Sequence, residues 1–133
     1  MESEVTKRHD IIYYGNVSEY KLAEIYRLSD MLVYPTRSDT YSTVMLEALA
    51  SGLVCIASDM LKGIFDIFAN KGYVHYVKND PYSFAKAIRE LTTKSNTLDR
   101  RESYELVKAN NDQDLISKEF GKMLKSVYSI IYG

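Results

Sequence analysis

Short apolar runs alternate with amphipathic stretches along this chain. Ile11-Ile12-Tyr13-Tyr14 is an apolar run closed by Gly15-Asn16, the pattern of a buried strand bounded by turn residues. Ser18 then offers an N-cap side chain. Leu22, Ile25 and Leu28 follow at helical spacing, with Glu19, Lys21, Glu24 and Arg27 outside them. Met31-Leu32-Val33-Tyr34 predicts a second strand, which Pro35 stops because proline cannot donate to a sheet ladder. A polar loop over 36–40 leads into a helix from about Ser42 to Ser51, ended by Gly52 as a C-terminal cap. Residues 53–57 predict a third strand, apolar on both faces as in a parallel sheet covered by helices.

Further along, 63–70 holds a short helix through Ile64, Ile67 and Phe68, and 73–77 reads as a fourth strand. Asp80-Pro81 starts a helix, acid at the cap and proline in the first turn, whose inner stripe is Phe84, Ile88 and Leu91. The pattern over 98–109 predicts another helix. Asp112 caps a last one through Ile116, Phe120, Met123, Leu124, Val127 and Ile130/Ile131.

Strand and helix thus alternate four times. That order predicts an α/β fold: a Rossmann-like parallel sheet of about four strands between helices. Ligands of such sheets bind outside the carboxyl ends of the strands. The loops at 15–17, 35–43, 58–63 and 78–80 are therefore the places to look. A length of 133 residues suits one domain, organised as a tail over 1–10, a β/α core over 11–92 and C-terminal helices over 93–133.

Composition narrows the function classes. The chain is 46% hydrophobic and 26% charged, ordinary for a globular protein. Its net charge of −1 argues against sequence-independent nucleic-acid binding, which needs a basic excess. The single Cys55 excludes a disulfide framework and suits a reducing compartment, and it reads as a small core residue. Two histidines, His9 and His75, do not make a His-rich metal site, and His75 lies within a strand run. No stretch approaches the ~18 apolar residues of a membrane span. The charged first ten residues do not form a signal peptide. A cytoplasmic or membrane-peripheral protein is expected.

Chemistry concentrates between Pro35 and Gly52. A polar loop leaves a strand tip and enters a helix whose first-turn amides form a ready anion site, suited to a diphosphate. Thr40, Ser42 and Thr43 add hydroxyls there. Asp39 and Glu47 are eight residues apart, a little over two helical turns, so they lie loosely on one side. Carboxylates beside a phosphate site repel phosphate but accept hydrogen bonds from sugar hydroxyls, which suits a nucleotide-sugar. On spacing alone, Asp39 also reads as a helix N-cap and Glu47 as a solvated helix residue. Asp112-Gln113-Asp114 has the form of a D-x-D metal motif, but capping and dipole complementarity at a helix start explain it.

The stretch resembles the E-x7-E region of GT-B-fold retaining glycosyltransferases of the group 1 (family 4) kind. Asp39-x7-Glu47 runs into Ala48-Leu49-Ala50-Ser51-Gly52-Leu53-Val54-Cys55-Ile56-Ala57 as in that family. Residues 11–17, Ile25-Tyr26, Ser29-Asp30, Pro35-Thr36, Gly63-Ile64-Phe65-Asp66-Ile67 and Asn79-Asp80-Pro81 resemble its other motifs in the same order. The resemblance covers about 11–92. It implies the nucleotide-sugar donor site of a two-domain hexosyltransferase. Glu47 would accept hydrogen bonds from the nucleotide ribose, and Asp39 would face the donor sugar as the catalytic carboxylate. Amides of Tyr41, Ser42 and Thr43, beside Thr40, would touch sugar or diphosphate. Gly15, Asn16 and Val17 would border the base. Transfer would retain configuration and need neither metal nor cofactor.

The chain departs from the family pattern in Asp39 for Glu, Ser42 for Gly and Val54 for Pro. A larger departure lies upstream. The family carries two or three further β/α units before the strand at Ile11, with the basic residues that neutralise the diphosphate. The resemblance therefore implies a truncated GT-B C-terminal domain, incomplete alone, with Arg37 and Lys62 placed to supply positive charge. An uncovered sheet edge predicts a homodimer or a second chain supplying the missing units. The alternative is a non-catalytic binding or assembly subunit with a glycosyltransferase-like fold.

Overall fold

A computed structural model describes residues 9–37, 43–94, 98–110, 125 and 127–132. Three parallel strands form one sheet in the order β1-β2-β3: β1 is Met31–Tyr34, β2 Val54–Ser58 and β3 Val74–Val77. Met31 pairs with Val54 and Tyr34 with Ala57 on one side of β2, and Cys55 with Val74 and Ser58 with Val77 on the other. The helices are α1 (Glu19–Leu28), α2 (Thr43–Ala50), α3 (Asp66–Ala69), α4 (Pro81–Thr93) and α5 (Arg100–Asn110), with a π-helical turn at Tyr128–Tyr132. The α/β, Rossmann-like layering is as expected, with three strands among the described residues rather than four.

The strand expected at 11–14 is not formed. Its four residues are exposed, Ile12 by 72%. An apolar run becomes a strand only where another strand takes its backbone hydrogen bonds, and among the described residues the sheet ends at β1 instead. The last expected helix lies mostly outside the described residues. Of it, Lys125, exposed, Val127, buried, and the turn at Tyr128–Tyr132 are described.

Side chains of β2 divide the core by the strand period of two. Cys55 and Ala57 enter the larger cluster with Met45, Leu46 and Leu49 of α2, while Ile56 enters a smaller one with Phe84 and Ala87 of α4. α4 therefore covers one face of the sheet and α2 the other. α4 begins as the sequence indicates: the Asp80 carboxylate accepts from Ser83 N at 2.8 Å and from the Ser83 hydroxyl at 2.9 Å. Two inner faces differ from expectation. In α1 the buried residues are Ala23 and Tyr26, and Leu28 is 75% exposed. Around α3, Phe65 and Phe68 are buried while Ile64 and Ile67 are exposed.

The chain packs closely at the junction of α2 and β2. Gly52 has φ 84°, and a Cβ there would run into the Cβ of Arg100 and lie 2.9 Å from its Cα. Only glycine meets both conditions without strain. The Arg100 guanidinium reaches the carbonyls of Ser29 at 3.1 Å and Tyr26 at 3.4 Å, capping the C-terminal end of α1. Ser103, fully buried, donates to Leu49 O at 2.6 Å. The Tyr132 hydroxyl lies 2.9 Å from Ala50 O, and its ring joins those of Tyr104 and Tyr128.

The 12 tyrosines of the chain find part of their explanation here. Tyr26, Tyr73, Tyr76 and Tyr132 each bury ring area while the hydroxyl reaches a partner.

Candidate functional site

α2 begins at Thr43, after the loop that leaves the carboxyl end of β1. Thr43 is exposed, and the first turn of α2 carries no acid that would repel a phosphate. The first turn of a helix carries the positive end of the helix dipole. The α2 side chains that face the sheet, Met45, Leu46, Leu49 and Ala50, are buried. That leaves Glu47 on the flank of the helix, half-buried toward α1.

Glu47 is not a solvated helix residue. The Tyr26 hydroxyl donates to its Oε2 at 3.1 Å. Burial pushes the Glu47 carboxyl up from the ordinary carboxylate value; the Tyr26 hydrogen bond opposes that rise, and nearby Glu19 adds to it. Burial and the Glu47 charge together push the Tyr26 phenol up, so it stays protonated and remains a donor. An acid held half-desolvated by one donor keeps acceptor capacity for ligand hydroxyls. The carbonyl of Glu47 accepts from the Ser51 hydroxyl at 2.8 Å, which closes the end of α2.

Gly15, Asn16 and Val17 lie at the entry of α1, the helix that brings Tyr26 and Glu19 to Glu47. Gly15 takes φ 64°, turning the chain, and Ser18 then caps α1 by accepting from Lys21 N at 3.1 Å. Gly15 and Asn16 are exposed and Val17 is half-buried. Among the described residues no hydrogen bond joins these three to Glu47. Asp39, Thr40, Tyr41 and Ser42 lie outside the described residues, as does the Asp112-Gln113-Asp114 motif.

The two cations expected to serve the diphosphate lie on different loops. Arg37 stays on the loop after β1. Lys62 lines a groove along the edge of β3. Their loops leave neighbouring strands, but the Lys62 turn folds toward the β3 edge, where the Tyr76 hydroxyl bonds Asp66 Oδ1 and accepts from Phe65 N. Sequence reasoning missed two features. Asn79 Nδ2 donates to Thr36 O at 3.2 Å, tying the loop after β3 to the loop after β1 across the tip of β2. The other is Tyr26 as the partner of Glu47. Its signal was available: a tyrosine among the inward positions of a helix needs a partner for its hydroxyl.

The family described as Glycosyl transferases group 1 matches residues 3–117 of the sequence, and the chain belongs to it. No curated protein and no solved structure matches the chain. Among the described residues no helix is long and apolar enough to cross a membrane.

Proposed function

We propose that this member of the group 1 glycosyltransferases holds a nucleotide-sugar between α1 and α2 and serves sugar transfer with retention of configuration. The observation that carries the reading is the Tyr26–Glu47 pair, a half-buried carboxylate one turn inside a helix that starts beyond a strand tip. Glu47 accepts the ribose hydroxyls, and the first-turn amides of α2 meet the diphosphate. Gly15, Asn16 and Val17 border the base. Asp39 faces the donor sugar, with Thr40, Tyr41, Ser42 and Thr43 around it. As the bond from the anomeric carbon to the diphosphate oxygen breaks, positive charge grows on the sugar and negative charge on the leaving group. The helix dipole and Arg37 stabilise the latter.

The outer side of β1, together with exposed Ile11 and Ile12, is where a second chain or a second copy completes the enzyme. A monodisperse monomer in solution scattering at high concentration would count against this part of the reading.

Calorimetry with UDP, GDP and their sugars tests the donor site. Replacing a charged acceptor removes about 1.5–3 kcal/mol, so Glu47→Ala is expected to weaken nucleotide binding by roughly tenfold or more. Equal affinity in the variant contradicts the site. Donor hydrolysis or transfer by the chain, alone or with its completing partner, then separates an enzyme from a binding subunit.

A further inference from the structure

The groove along β3 lies outside the donor site. It encloses about 660 Å³, within the roughly 300–1,000 Å³ of typical ligand clefts. Every residue from Val74 to Lys78 lines it. Successive strand side chains point to opposite faces, so a groove touched by all of them follows the backbone edge of the strand.

The register shows which backbone groups look into it. Cys55 pairs with Val74, and Cys55 N donates to Tyr73 O at 2.8 Å. Alternation along a parallel ladder then turns the amides and carbonyls of Val74 and Tyr76 away from β2. Among the described residues no backbone bond outside the sheet takes them up. Ala69, at the end of α3, and Ala87 and Leu91 of α4, with Lys94 just past its end, wall the groove on its two sides. Three lysines, Lys62, Lys78 and Lys94, line it against two acids, Asp59 and Glu90.

We infer that this edge is a docking groove for an extended acidic segment of a partner protein, which adds a strand beside β3 and sets its carboxylates against Lys62, Lys78 and Lys94. Strand addition uses the outward amides and carbonyls for affinity and the flanking side chains for selection. Lysines also guard sheet edges against pairing. A guard rejects strands of every charge, whereas a docking groove selects acidic ones.

The test titrates the isotope-labelled full chain with three capped hexapeptides. One alternates valine with glutamate, one alternates valine with lysine, and one is the acidic peptide with the amides of a single edge N-methylated. The acidic peptide is expected to shift the amides of Val74, Tyr76 and Lys78 and to bind at least tenfold tighter than the basic one. Methylation is expected to cost at least tenfold, and Lys62→Glu with Lys94→Glu to reverse the charge preference. Equal binding of the basic or methylated peptide overturns the inference, as does no binding at millimolar peptide or shifts confined to another face. Shifts of the same amides with protein concentration alone, unaffected by peptide, also overturn it, in favour of a second copy of the chain. Should the double variant fail to fold, the three peptides on the wild-type chain still decide.

Discussion

At the centre of the sheet Val54–Ser58 is buried along its whole length, while the equally apolar 11–14 segment lies open, with Ile12 72% exposed and Tyr13 54%. β2 has a strand on each side, helices above and below, and at its entry a turn clamped between Gly52 and Arg100. Among the described residues no strand pairs with the 11–14 segment, and Lys21 of α1 lies over the Tyr14 ring. The difference lies in neighbours rather than in hydrophobicity: burial of apolar surface needs something to bury it against. The proposed donor site sits at the boundary between the two regions, since α2 belongs to the packed side and α1, which follows the open segment, reaches it through Tyr26.

Substitution should expose this contrast. Gly52→Ala forces a left-handed backbone onto a side chain and a close contact onto Arg100. A loss on the order of 3 kcal/mol is expected in urea denaturation. The paired substitution Ile12→Ser should change stability by less than about 0.5 kcal/mol, as at other exposed sites. Comparable losses from the two would show that the 11–14 segment is packed in solution.

Tyr26→Phe is the next smaller effect. It leaves the ring buried and removes only the donor to Glu47, for about 1 kcal/mol of stability. Because that hydrogen bond holds the Glu47 carboxyl down against burial, its loss moves the pH dependence of nucleotide binding to higher pH. An unchanged profile, read by calorimetry across the acid-to-neutral range, would disconnect the tyrosine from the site.

The smallest effect is the pH dependence of folding itself. The folded state raises Glu47, so it binds more protons than the unfolded chain, and this group's contribution to stability falls as pH rises through the ordinary carboxylate range. Asp80 behaves oppositely. Hydrogen bonds from the Ser83 amide and hydroxyl hold it below the ordinary value. Its contribution is present above the unfolded value and is lost as pH falls through the lowered one. Glu47→Gln should therefore gain on wild type as pH rises from 4 to 7, and wild type should lose its advantage over Asp80→Asn as pH falls below about 4. Thermal unfolding across the two ranges checks the two signs, and parallel curves would refute them.

Elements with punctuation at their ends were legible in the sequence. Pro35 ended β1, Asp80-Pro81 opened α4, and Gly52 closed α2, each through a local backbone requirement. Elements that depend on distant neighbours were not. Nothing within 11–14 tells whether a strand lies beside it. The inner face of α1 was misread because large apolar residues marked Leu28, whereas the structure buries Ala23 and Tyr26. The spacing to Asp39 singles out Glu47 as a candidate, but Tyr26, 21 positions away, pairs with it only through tertiary packing. Lys62 was placed on a suitable loop, yet the turn around Asp66 and Tyr76 carries it to the β3 groove.

The most direct measurement is a crystal structure of the chain with UDP or GDP bound. The account predicts ribose oxygens at hydrogen-bond distance from Glu47, with Tyr26 still holding its other side, and phosphates at the opening turn of α2. A nucleotide seated elsewhere, with Glu47 bonded to Tyr26 alone, would contradict it.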